Sequence, residues 1–456
     1  MLFSILISIV VLLLGYVIWD TATTAQHRRF PGPEQYPIVG NVIPTPKIWL
    51  TFAALGKKYG PIYALRTFRM HILVLNNVPA ARGLLDAKSS NYWIRPFPRM
   101  IELAGMTRGI LFDPDAGRLR QSRKMLNHVL SPEVWKCLEF PQHIRRIPAG
   151  IALEIAYGYK IRDGYDPFMH TADETIQFVA KANRLGAYAV DWLPFLAKLP
   201  SFCLAWDSSE RRSRAQDAMD EGLQRPTLAS AVMERPDEFS LDLMKFNATQ
   251  IYTGGADTSI TSITSFFRTM VMHPDVQSKA QLEIDQVIGN DRLPRYSDRA
   301  QLPYTNAVMT ELVRCFPVVP LVTRLASKDD VHDGYSISKD TLIIINLWAM
   351  LHDETVYDEP EEFKPERWLS EDARDKPNAL DVAFGFGRRA CPGRYLGEET
   401  LFMTIACTLA TFDISPARGA GGEEILPSGE YSDGGMTVPP PFKCTILPRS
   451  KRPRGE

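Results

Sequence analysis

The chain has 456 residues, 45% of them hydrophobic, enough for a large buried core, and its formal net charge is −1. That balance excludes the global positive field that nucleic acid would require, so no nucleic-acid partner is expected. Cysteines fall at 137, 203, 315, 391, 407 and 444, with no CxxC pair and no Cys/His cluster of zinc type; they read as reduced and mostly buried thiols.

In chain order, residues 1–19, MLFSILISIVVLLLGYVIW, carry no charge before Asp20. About 20 apolar residues match a bilayer core, and the run exceeds the 7–15 residues of a signal-peptide apolar region. The first basic group, His27-Arg28-Arg29, follows this run, an order that places the remaining body on the cytosolic side. Residues 1–20 are therefore expected to form a single-pass transmembrane anchor. Residues 21–40 form a linker stiffened by Pro31, Pro33 and Pro37.

Beyond the linker the pattern is mostly helical with small β regions. IYALRTF and HILVLNN predict a hairpin over residues 62–77. Helices are predicted over 274–290, with a proline in the first turn, and over 303–316, ended by Pro317 and Pro320. TLIIINLWAML reads as strand then helix, residues 368–383 as polar and irregular, and GEETLFMTIACTLATF as a long apolar helix. No repeat of fixed period is present, and PRSKRPRGE closes the chain as a solvated basic tail, 449–456 being outside the catalytic body.

The stretch FGFGRRACPGRYLG, residues 384–397, concentrates the chemistry. A thiolate that ligates a metal needs hydrogen-bond donors, and glycines let the backbone approach a flat ligand. Gly385, Gly387 and Gly393 are suited to positive φ, Pro392 stiffens the turn, and Arg389 offers a guanidinium fork for a carboxylate. A cysteine in such company is what an iron porphyrin with propionates needs.

Phe384-x-x-Gly387-x-Arg389-x-Cys391-x-Gly393 resembles the haem loop of the cytochrome P450 family at every fixed position. The resemblance implies haem b held by Cys391 as the axial iron ligand, with Phe384, Gly387, Arg389 and Gly393 around it. Glu311-x-x-Arg314 resembles the family's Glu-x-x-Arg helix, and FKPERW adds Arg367, which the family joins to them in a buried structural network; Trp368 stands where the family usually has Phe. YTGGADTS, residues 252–259, resembles the oxygen-binding stretch of the family's central helix, giving Asp257 and Thr258 catalytic, proton-handling roles. Two mid-helix glycines cost about 1 kcal/mol each against Ala, and a local distortion beside a ligand is the expected reason. GRLRQSRKMLN resembles the helix with a haem-propionate arginine: Arg123 matches it, while Leu119 replaces the usual Trp. Arg324 stands near the position of a second propionate partner.

The resemblance implies a mainly α cytochrome P450 fold with small β-sheets, as one catalytic domain over 41–448 behind the transmembrane helix. It is nearest the microsomal, fungal-type branch that tailors secondary metabolites, from AYGY…DPF, GGADTS and PPPF. The implied activity is insertion of one oxygen atom of O2 into a lipophilic small molecule, at the endoplasmic-reticulum membrane with the catalytic domain in the cytosol. Electrons are expected from NADPH through a separate NADPH–cytochrome P450 reductase, since the chain shows no recognisable dinucleotide or flavin domain. Arg118, Arg120, Lys124, Arg388 and Arg394 are a candidate docking face for it. Substrate contacts are expected from Ile110, Leu111, Phe112, Ile251, Val318, Val319 and Gly434–Met436. Two regions, after the arginine helix and around CLAWDSSERRSRAQDAMDE, are each shorter than the branch by roughly 20 residues, a length judged against that resemblance. That shortening keeps a second reading open: a haem-thiolate isomerase, dehydratase or inactive form.

Overall fold

The computed structural model describes residues 30–36, 39–43, 46–103, 106–130, 239–289 and 291–449, with 228, 235 and 237. The expected anchor therefore lies outside the described residues. Among the described residues, no helix is long and apolar enough to cross a membrane.

The described chain forms two compact units. The first takes the described part of Met1–Pro96 with Pro320–Asp353 and Gly385–Ala390. Its centre is a four-stranded sheet in the order β1 (Ile62–Thr67), β2 (Met70–Leu75), β6 (Leu342–Asn346), β3 (Leu321–Leu325). The predicted hairpin is β1–β2, antiparallel with Ile62 opposite Leu75. β6 pairs parallel with β2 and antiparallel with β3. All five residues of β6 are buried, which is why LIIIN reads as an unbroken apolar run rather than an alternating one. Phe52 packs with the strand residues Tyr63, Leu65, Val74 and Ile344 in one buried cluster. A second hairpin joins β4 (Asp330–His332) to β5 (Tyr335–Ile337) through Asp333-Gly334, both at positive φ. Asp-Gly is the dipeptide such a turn selects, so this hairpin too has a signal in the sequence.

The second unit takes Phe97–Val319, Glu354–Phe384 and Cys391–Glu456 in their described parts, and is mainly helical. Its longest element is the central helix Leu241–Met272, started by Ser240, whose hydroxyl accepts the Leu243 amide. Pro274 opens the next helix, Pro274–Ile288, and Pro303 opens Pro303–Cys315. Both match their predicted spans closely. The apolar helix Arg394–Thr411 begins three residues before the predicted Gly397. Phe266, Met270, Ile284, Val308, Leu312, Phe402, Ile405 and Leu409 form the shared core of these helices. A small sheet, β8 (Glu424–Ile425), β7 (Phe412–Arg418), β9 (Cys444–Pro448), closes the unit.

Residues 368–383 are less irregular than expected. They hold a 3-10 turn at Glu371–Asp375 and a short helix, Ala379–Ala383. The Asn378 side chain caps that helix by accepting the Leu380 amide at 2.9 Å, a local bond that apolar periodicity does not reveal.

Candidate active site

In the mainly helical unit, the Ala379–Ala383 helix hands the chain to Phe384, whose carbonyl accepts the Cys391 amide at 2.8 Å. That bond closes the loop and places the sulfur just ahead of the helix Arg394–Thr411, for which Gly393 is the N-cap. The positive end of a helix favours a thiolate nearby. Of the described cysteines, Cys391 is exposed, Cys315 and Cys407 are buried, and Cys444 is intermediate. A ligand thiol must be reachable, and Cys391 is. Arg123, on the helix Ala116–Leu130, lies within electrostatic reach of Cys391: burial lowers its pKa, and the negative sulfur opposes that shift.

Gly393 departs from expectation. Its φ is −87°, which any residue adopts, and a Cβ there would sit 3.9 Å from the Cys391 sulfur, an ordinary contact. The need for glycine at 393 is therefore not conformational.

Thr258 and Asp257 lie on the central helix, and both are partly buried. The expected break at Gly254-Gly255 is absent: the α-helix continues through it without interruption. The Thr258 hydroxyl instead donates to the Gly254 carbonyl at 2.7 Å, the back-bond one helical turn away that side-chain hydroxyls favour. Gly254 has open space where a Cβ would be, so helix packing does not demand glycine there either.

The loop at Ile110 and Leu111 is fixed by the same helix. The Ile110 amide donates to Asn247 Oδ1 at 3.2 Å, and the Leu111 amide donates to Gln250 Oε1 at 2.7 Å. Gly109 packs so closely on Gln250 that a Cβ would meet its amide nitrogen at 2.2 Å. The sequence does not single out Asn247 or Gln250, because one polar side chain per turn of a helix carries no signal by itself.

Glu311, Arg314 and Arg367 come together in this unit as the resemblance implies. Arg314 donates from Nε to Glu311 Oε2 at 2.8 Å and from Nη2 to Oε1 at 2.9 Å. Arg367 Nε reaches Glu311 Oε1 at 2.8 Å. Arg314 also donates to the carbonyls of Pro360 and Glu362, and Arg367 to those of Asp358, Glu359 and Glu362. The pair thus fastens residues 358–362 to the Pro303–Cys315 helix. Burial pushes the Glu311 carboxyl up, but the guanidiniums outweigh it and hold the net shift below the ordinary range.

In the sheet-bearing unit, Arg324 and Arg389 are both buried. Arg389 donates from Nε to the Trp93 carbonyl at 2.7 Å and stacks over the Trp93 ring at 5.6 Å. Arg324, on β3, donates to the Thr323 carbonyl at 2.7 Å. Its pKa is driven far down by burial, then by the neighbouring guanidiniums of Arg95 and Arg389. Arg324 also donates to the Arg389 carbonyl at 3.5 Å. Trp93 and Arg95 are not legible as site residues in the sequence. Gly387 does require its glycine: φ is +62°, a Cβ would collide with the Leu85 carbonyl at 2.1 Å, and its amide donates to Asp86 at 2.7 Å.

The expected docking cations divide. Arg118 is bound to Asp113 and Arg394 to Asp381 and Glu398, so their charge is already compensated. A formal charge count in sequence cannot show such pairing.

Within the mainly helical unit, a reachable thiol with an arginine within reach of its charge suits a haem-thiolate ligand. Comparison with known proteins agrees. The family model for Cytochrome P450 matches residues 30–144 and 206–446, more than half of the chain. Cytochrome P450 monooxygenase 208 of Postia placenta is 35% identical over 485 residues, covering 97% of this chain and 94% of that protein. Cytochrome P450 monooxygenase claR of Ampulloclitocybe clavipes is 36% identical over 465 residues, covering 92% of this chain and 86% of that one. Cytochrome P450 monooxygenase 226 of Postia placenta is similar at 34% over 491 residues, covering 98% of this chain and 93% of that protein. The chain belongs to the cytochrome P450 family, whose cofactor is haem and whose enzymes are oxidoreductases of the monooxygenase type. The alignment with the first of these relatives is longer than this chain's 456 residues, so this chain carries gaps against it, in keeping with the shortening expected from sequence.

Proposed function

We propose that this enzyme inserts one oxygen atom of O2 into a lipophilic small molecule, as a tailoring step in fungal secondary metabolism. Electrons come from NADPH through a separate reductase. The body sits on the cytosolic face of the endoplasmic reticulum, tethered by residues 1–20, with the catalytic domain spanning 41–448. The observation that carries the reading is the exposed Cys391 thiol, with its amide on Phe384 and Arg123 within reach of its charge.

Haem, when bound, supplies the oxidising chemistry and takes electron density from the thiolate. Cys391 would ligate the iron, and the helix that follows favours the ionised sulfur. Gly393, free of any conformational demand, would keep a side chain away from the Cys391 sulfur when haem is bound. Arg123, Arg324 and Arg389 are the residues that would hold propionate carboxylates. Thr258, whose hydroxyl proton is held at the Gly254 carbonyl, and Asp257 would handle protons in this site. Ile110, Leu111, Phe112, Ile251, Val318 and Val319 line a mostly apolar substrate space.

The branch assignment is supported by GGADTS and PPPF and by the fungal relatives. A second reading, a haem-thiolate protein without monooxygenase activity, draws on residues 145–205, which the family model does not match. The experiment is NADPH consumption by purified enzyme with a fungal reductase and a panel of lipophilic substrates. Oxygenated product supports the first reading. A normal thiolate-haem spectrum with no turnover on any substrate favours the second.

A further inference from the structure

Trp368 does more than replace a phenylalanine. Its indole Nε1 donates to Glu311 Oε2 at 2.8 Å. Glu311 is fully buried, and its two oxygens are unequally served. Oε1 accepts from Arg314 Nη2, Arg367 Nε and the Lys364 amide, within 2.8–3.0 Å. Oε2 accepts from Arg314 Nε and from Trp368. Without the indole N–H, that oxygen keeps one donor in a site water does not reach, and an under-bonded buried charge is costly.

The same ring leads toward the thiolate. Trp368 packs on Tyr357, ring centroids 5.9 Å apart, and the Tyr357 ring also receives the Arg314 guanidinium at 5.2 Å. The Tyr357 hydroxyl donates to the Pro377 carbonyl at 3.1 Å. Pro377 precedes the Asn378-capped helix Ala379–Ala383, and Phe384 follows it with the carbonyl that holds the Cys391 amide. All of these residues belong to one unit.

We propose that Trp368 is a positioning residue for the cysteine loop. Its N–H orients the Glu311 carboxylate, and its ring seats Tyr357, which pins the stretch leading to Phe384 and Cys391. The link to the loop's chemistry rests on the haem-thiolate reading; the bond to Glu311 does not. The groups facing Glu311 are Arg314, Arg367 and the Cys315 thiol, which lies 3.7 Å from Oε1, with Tyr357 acting on Arg314. Arg314 and Arg367 are cations, and burial together with the Glu311 charge pushes the Cys315 thiol far up, so it stays neutral.

The test uses the full-length holoprotein with Trp368→Phe and Trp368→His. Phenylalanine keeps a ring and drops the donor. Histidine keeps a ring N–H at the equivalent position of its five-membered ring and drops the outer ring. Thermal unfolding is followed across a pH series, with the thiolate share of the reduced carbon monoxide complex read in parallel. Trp368→Phe is expected to lower the folded-to-unfolded ratio about tenfold near neutral pH, the scale of a hydrogen bond to a charged group. The bond serves the ionised carboxylate, whose folded pKa is depressed, so the deficit narrows as the pH falls below the ordinary glutamate range. Trp368→His is expected to recover this pH-dependent part, and Trp368→Phe to lose thiolate signal sooner on warming. A Trp368→Phe deficit that is the same at every pH, or no deficit, overturns the bond to Glu311. An unchanged thiolate share on warming overturns the positioning role. A parent protein that takes up no porphyrin defeats the haem reading and the loop role with it, while the pH series still decides the bond.

Discussion

Two buried clusters of arginine stand in contrast. In the mainly helical unit, Arg314 and Arg367 share the Glu311 carboxylate, and the chain itself supplies the anion. In the sheet-bearing unit, Arg324 lies among Arg95 and Arg389, and its ordinary proton affinity is suppressed by burial and by like charge. The first cluster sets two guanidiniums on one carboxylate and gives their remaining N–H groups to backbone carbonyls, and it serves the fold. In the second, Arg324 donates to the Thr323 and Arg389 carbonyls. The difference lies in the described partners: a buried carboxylate in the first, backbone carbonyls and like charge around Arg324 in the second.

The contrast is most sharply broken at Glu311. Removing one partner from a buried ion cluster leaves uncompensated charge, at a cost of about 3–5 kcal/mol. Glu311→Ala is therefore expected to abolish soluble folded protein, or to lower its melting temperature by more than either glycine change in the cysteine loop, read by circular dichroism. The next effect is opposite in kind. Arg324→Met removes a buried cation that sits among like charges in the haem-free chain, so the haem-free protein should melt at the same temperature or higher. Porphyrin retention by the same variant should fall about tenfold, the scale of one charge-assisted hydrogen bond near 1.4 kcal/mol. A haem-free Arg324→Met protein that is markedly less stable would erase the distinction between the clusters.

Two glycines of the cysteine loop refine the comparison. Gly387→Ala meets both positive φ and the Leu85 carbonyl, and is expected to cost about 1–3 kcal/mol with or without porphyrin, measured by denaturant midpoint. Gly393→Ala meets neither, so stability of the haem-free protein should change by less than about 0.5 kcal/mol. Its effect should appear only as weaker porphyrin uptake.

The hairpin at 62–75, the helices at 274–288 and 303–315 and the strand–helix at 342–351 are legible in the sequence because prolines and apolar periodicity are local signals. The loop glycines and Cys391 are legible because their spacing is contiguous. What stays hidden is long-range. Nothing in NYWIRPF shows that Trp93 will carry Arg389, about 300 residues on. Nothing in FKPERW shows that the indole of Trp368 will donate to a carboxylate in another helix; from sequence the exchange looks merely tolerable. The charges of Arg118 and Arg394 look available for another reason: acidic neighbours stand near them in sequence, and only the fold decides which of these they face. The unbroken central helix differs in kind: two glycines suggest distortion, but the surrounding turns hold the α-helical bonds.

The most direct measurement is the absorption spectrum of the purified, reduced protein under carbon monoxide, beside that of Cys391→Ser. The thiolate-specific band is expected in the parent and its loss in the variant, with Arg324 and Arg389 intact in both. A parent that binds no porphyrin, or a Cys391→Ser protein with the same band, would contradict a haem held by Cys391.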